Sequence, residues 1–94
     1  MNRDNSSFQL ELGRHLAGLR ERAGLTQEAL GQQIGRDQPY VSKIERGTLG
    51  IQLDTLLTWL HALSLSLRDV ADDIEALPGA HETTTSIWSR ERDA

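Results

Sequence analysis

The chain contains no cysteine, which removes disulfide bridges and thiolate metal sites and makes an intracellular setting the simpler expectation. No apolar run approaches the roughly 18 residues that suggest a membrane span. The polar start MNRDNSS lacks the apolar segment of a secretory signal. A cytoplasmic protein without membrane partners is expected. Internal repeats and low-complexity tracts are also missing, and 94 residues fit one small domain with frayed ends.

Positive charge is in short supply. The net charge of -4 at first argues against a nucleic-acid partner, which usually favours a basic protein. The distribution weakens that objection. Residues 1–47 carry seven Lys or Arg against six acids, whereas residues 48–94 carry three against eight. The acidic half can face away from a polyanion. With so few cations, non-specific affinity should be modest and useful binding should require a dimer.

The usual signatures of catalysis are lacking too. His15, His61 and His81 stand alone, without the spacing that clasps a metal. Asp72, Asp73 and Glu75 read as a solvated helix face, and no glycine-rich phosphate cradle accompanies them. Nothing in the sequence activates a serine. The chain is read as a non-enzyme with no metal and no cofactor.

Helical periodicity is what the sequence does hold. Phe8, Leu12, Leu16, Leu19 and Ala23 recur at offsets of four, four, three and four, which lays them along one stripe of a first helix. Ser6 or Ser7 would cap it, and Gly24 would stop it. Leu30, Ile34, Val41 and Ile44 then turn inward from two short helices joined by a tight turn. Thr26 is the expected N-cap of the first of these and Asp37 of the second, with Pro39 tolerated in the opening turn. Gly31 allows close backbone approach, and Gly35 fits the left-handed end of a helix.

After the loop Gly47-Thr48-Leu49-Gly50, Leu53, Leu56, Leu57, Leu60 and Leu63 resume the period, with Trp59 and Ala62 widening the apolar band. A band that covers more than half a helix suggests a partner beyond the domain core. Ser66 and Asp69 resemble a capping box ahead of Leu67, Val70, Ala71 and Ile74, a fifth helix ended by Leu77-Pro78-Gly79. The expected boundaries are a loose arm at 1–7, a domain at 8–77 and a tail at 80–94. Thr83 to Trp88 favours an extended strand that is not stable alone.

Residues 26–47, TQEALGQQIGRDQPYVSKIERG, together with Gly24-Leu25-Thr26-Gln27, Leu30-Gly31, Gly35 and Val41-Ser42-Lys43-Ile44-Glu45-Arg46-Gly47, resemble the lambda-repressor-like regulators, the Cro and phage-repressor or XRE-type family. The likeness spans roughly Leu12 to Val70. It implies an all-α, five-helix DNA-binding domain with a helix-turn-helix at helices 2 and 3, and a sequence-specific, double-stranded-DNA-binding transcriptional regulator, a repressor acting as a homodimer.

In that family the third helix enters the major groove. The resemblance therefore assigns DNA contacts to Gln27, Arg36, Gln38, Pro39, Tyr40, Ser42, Lys43 and Arg46. Gln38 suits adenine and Lys43 guanine, while Pro39 can offer only apolar contact to a thymine methyl. Gln27 would bond a phosphate and brace Gln38. Arg20 and Glu45 match a buried ion pair of the family. Arg36 stands where the family usually has an apolar residue, and the loop after Gly47 lacks the family's basic residues.

The band at Leu57, Trp59 and Leu60, with the fifth helix, is the expected dimer interface. Ile87 and Trp88 would anchor a protein partner, since aromatic residues favour binding pockets and a strand can join a sheet edge. Two other readings stay open on the sequence. One is the antitoxin of a toxin–antitoxin pair, holding its toxin with the tail; the other is a helical adaptor that touches no DNA.

Overall fold

The computed structural model describes residues 3–81, which form five helices: α1 (Arg3–Arg22), α2 (Gln27–Ile34), α3 (Gln38–Glu45), α4 (Leu53–Ala62) and α5 (Leu67–Glu75). Among the described residues there is no strand, and no helix is long and apolar enough to cross a membrane. Ile87, Trp88 and the expected strand at Thr83 to Trp88 lie outside the described residues.

Local capping explains where α2 and α3 begin. The Thr26 hydroxyl accepts from the Ala29 N–H at 3.0 Å, and the Asp37 carboxylate accepts from the Tyr40 N–H at 3.0 Å. Each satisfies a donor that the first helical turn leaves without a partner. Pro39, in the opening turn of α3, removes one further orphan N–H. Between the two helices Gly35 adopts φ 74°, and the Arg36 N–H returns to the Gly31 carbonyl at 2.8 Å. The turn folds so tightly over Gly31 that a Cβ there would come within 2.6 Å of the Arg36 carbonyl oxygen. Ahead of α5, Asp69 accepts from both the Ser66 N–H (2.8 Å) and the Ser66 hydroxyl (3.1 Å), and these bonds hold its carboxyl below the ordinary carboxylate pKa.

Two sequence expectations require correction. The first helix starts at Arg3, not after Ser6 or Ser7. No Gly or Pro interrupts residues 3–12, and serine inside a helix costs only a few tenths of a kcal/mol, roughly, relative to the best formers. The second correction concerns the apolar band of α4. Trp59 and Leu60 are both 0 % exposed and sit in the core with Leu16, Leu30, Val41, Ile44, Leu56, Leu63 and Val70. Of the three residues expected at a dimer face, only Leu57 reaches the surface. Every helix contributes to this one cluster, so most of the band on α4 is covered internally, while Leu53 and Leu57 stay exposed.

The frame around α3 rests on α1 as well as α2. The Arg20 Nε donates to Glu45 Oε2 at 2.6 Å and its Nη2 to Glu45 Oε1 at 3.0 Å, while Nη1 donates to the Leu25 carbonyl at 2.7 Å. Both side chains are buried. The Glu45 hydrogen bonds raise the Arg20 pKa above its ordinary value against the opposing effect of burial, so the guanidinium stays charged. The pair therefore joins α1, the turn into α2 and the end of α3 through two-pronged, charge-assisted bonds. Close approach of α1 to α3 depends on Gly13. A Cβ there would press on the Ile44 carbonyl oxygen and come within 2.6 Å of that of Glu45. From the second turn of α1, Gln9 Nε2 donates to the Gly47 carbonyl at 2.9 Å and anchors the loop after α3.

These contacts set two expected outcomes. Glu45→Ala strands the buried Arg20 charge and should destabilise the domain by about 3–5 kcal/mol, read as a lower urea midpoint; an unchanged midpoint would mean that Arg20 finds another counter-charge. Gly13→Ala should also lower the midpoint, although glycine-to-alanine in an unobstructed helix gains about 1 kcal/mol. A raised midpoint would show that the α1–α3 crossing opens freely.

Candidate nucleic-acid interface

Eight residues of α3 divide sharply by face. Val41, Ile44 and Glu45 are buried, whereas Gln38, Pro39 and Lys43, with Arg46 at the C-terminal cap, are exposed and Ser42 is half-buried. Positions 38, 39, 42, 43 and 46 therefore form one outward stripe at helical spacing. Tyr40 lies beside the stripe, half-buried against the core.

Glu45 links this stripe to the interior. Besides its two bonds from Arg20, its Oε1 accepts from Gln27 Nε2 at 2.8 Å. Gln27 Oε1 in turn accepts from Gln38 Nε2 at 2.6 Å. A continuous relay thus runs from Arg20 on α1 through Glu45 and Gln27 to Gln38 at the solvent face. It holds the first turn of α3 in place before any ligand arrives, which lowers the ordering cost of binding. Gln27 has its carbonyl oxygen and one N–H engaged, leaving one N–H to meet an outside acceptor.

Arg36, expected to reach toward a phosphate or lie along the surface, stacks its guanidinium over the Tyr40 ring at 4.4 Å from the centroid. It is exposed, and it borders an open groove of about 450 Å³ lined also by Asp37, Pro39, Tyr40, Lys43 and Leu49. Leu49 belongs to this surface and was not among the residues singled out from sequence. A leucine between two glycines in a loop has no period to betray its neighbours. What brings it there is the end of α3: the Thr48 N–H and hydroxyl both donate to the Lys43 carbonyl, at 3.0 and 3.2 Å, folding the loop back along the helix.

The structure thus gathers Arg36, Gln38, Pro39, Tyr40, Ser42, Lys43 and Arg46 on α3 and its immediate flanks, with Gln27 joined to them from the start of α2. Arg20 and Glu45 stand behind them as the buried support. Leu57 is on a different helix, α4. Among the described residues no group of three or more His, Asp or Glu side chains could hold a metal ion.

Comparison with known proteins agrees with this geometry. Two crystal structures of the clp gene regulator ClgR from Corynebacterium glutamicum superimpose on the chain with a TM-score of 0.69 each. One is 27% identical and covers 76% of this chain and 91% of that one; the other is 25% identical and covers 88% and 87%. No curated protein matches the chain significantly. Residues 11–77 match the family described as a helix-turn-helix domain, the stretch that contains the capped turn, the buried ion pair and the outward stripe, and the chain belongs to that family.

Proposed function

We propose that the protein is a sequence-specific, double-stranded-DNA-binding transcriptional regulator that acts as a homodimeric repressor, with α3 as its reading helix. The observation that carries this reading is the relay from Arg20 to Gln38, which fixes the exposed N-terminal end of an eight-residue helix. An isolated helix of that length is marginal in water, so this bracing makes it rigid enough to read base edges. The likeness to ClgR, a gene regulator, supports the same reading.

Gln38 and Lys43 are assigned to bases, with Gln suited to adenine and Lys to guanine. Arg46 and Arg36, flanking the stripe, are assigned to phosphates, as is the remaining N–H of Gln27. Ser42 lies between the base-reading positions, and Pro39 and Tyr40 supply apolar walls. Bound over a promoter, a small dimer would repress by excluding other proteins from the sequence it covers.

Two-fold symmetry would place the two α3 helices in successive major grooves, with half-sites about 34–36 Å apart. The interface is assigned to the leucines that stay exposed on the last two helices, Leu53 and Leu57 on one edge of α4 and Leu67 at the start of α5. The acidic composition of residues 48–94 suits a face turned away from DNA.

Fluorescence-anisotropy titration of operators selected from a random duplex pool tests the reading. Gln38→Ala and Lys43→Ala should each lose about 1–3 kcal/mol on the preferred operator and relax selectivity at one base pair, whereas Arg46→Ala should weaken all sequences and reduce the salt slope by about one. A uniform loss on Lys43→Ala would reassign that lysine to phosphate, and binding insensitive to salt would remove DNA from the reading altogether. For assembly, Leu57→Asp should shift sedimentation from dimer to monomer and lower operator affinity. A dimer that survives the charge moves the interface away from α4.

A further inference from the structure

We infer that the groove beside Lys43 is a subsite for the C5-methyl group of a pyrimidine, thymine or 5-methylcytosine, with Leu49 as a specificity-determining residue; this rests on the assignment of α3 as the DNA-reading helix. The groove is open, about 450 Å³, and brings Pro39, Tyr40 and Leu49 together with Lys43 and Arg36. Its polar neighbours are largely committed. Asp37 is held at the cap by the Tyr40 N–H, and Arg36 lies over the Tyr40 ring. Pro39 has no N–H to offer.

Leu49 is 39% exposed and stands outside the buried core. Its position along α3 is fixed from behind by the two bonds from Thr48 to the Lys43 carbonyl. An apolar wall facing a base edge gains most from one feature of the major groove, because the other substituents there are hydrogen-bond donors or acceptors and the bare ring C–H groups add little area. That feature is the C5-methyl. Lys43, in the same groove, supplies a flexible donor beside the stacked Arg36, which suits the paired acceptors of a guanine at or next to the methylated position. The loop that departs from the family by lacking basic residues would then contribute base selectivity in place of phosphate grip.

The test uses the full chain and an operator selected from a random duplex pool. Thymines are replaced one at a time by deoxyuridine, which removes the methyl and nothing else. Burying one methyl-sized group corresponds to about fourfold in affinity. We expect at least one thymine per half-site at which deoxyuridine weakens binding by about that factor. The difference should vanish in Leu49→Ala, with Pro39→Ala as a second variant lining the same groove and circular dichroism confirming that both are folded. Comparing cytosine with 5-methylcytosine at the same position separates the sources: tighter binding of the methylated base makes the methyl itself the recognised group, and a benefit confined to thymine assigns the subsite to that base. Deoxyuridine without effect anywhere, on an operator that otherwise binds selectively, overturns the subsite and leaves the DNA-reading assignment intact. So does a deoxyuridine effect of undiminished size in Leu49→Ala. A pool that yields no preferred sequence overturns both.

Discussion

The bidentate pairing of Arg20 with Glu45 is the constraint on which the exposed face of α3 depends. Neither α2 nor α3, at eight residues each, is long enough to hold its shape in isolation. Their caps define where they begin, but caps do not orient one helix against another. The ion pair does, because Arg20 fastens the end of α3 and the Leu25 carbonyl to the same point on α1. Burial of a charge pair is seldom a net source of stability. What this pair supplies is a fixed relation among three chain segments, and Gly13 permits it by letting the α3 carbonyls lie directly against α1.

Much of this was legible in the sequence. Thr26 and Asp37 announce helix starts because a short oxygen-bearing side chain ahead of a periodic run has a specific task there. Gly35 announces a left-handed turn for a similarly local reason. The Arg20–Glu45 pair followed from the resemblance, since nothing in a linear pattern joins residues 25 positions apart.

The parts that escaped are those decided by three-dimensional neighbours. Periodicity told which face of α4 is apolar, yet not how many helices would cover it, and Trp59 consequently looked available when it lies at the centre of the core. Gly13 sits in a helix without a positive φ or a turn to mark it, and its role exists only because α3 crosses there. Arg36 broke an expected apolar pattern, and its actual partner, the Tyr40 ring, stands four residues on across a helix start. Leu49 was hidden in a loop, where spacing carries no information.

The relay from Arg20 to Gln38 also has a direction. A guanidinium can only donate and a carboxylate can only accept, so Glu45 compels Gln27 to present its N–H inward and its oxygen outward. Gln27, unable to turn over, requires an N–H from Gln38 in the same way. The amide of Gln38 is thereby left with one N–H and its oxygen, with its nitrogen held on the Gln27 side. A free glutamine could rotate and offer the reverse order to a different edge; this one cannot without breaking the chain behind it. The polarity of the hydrogen-bonding edge at the surface is therefore inherited, link by link, from the sign of a charge buried on another helix.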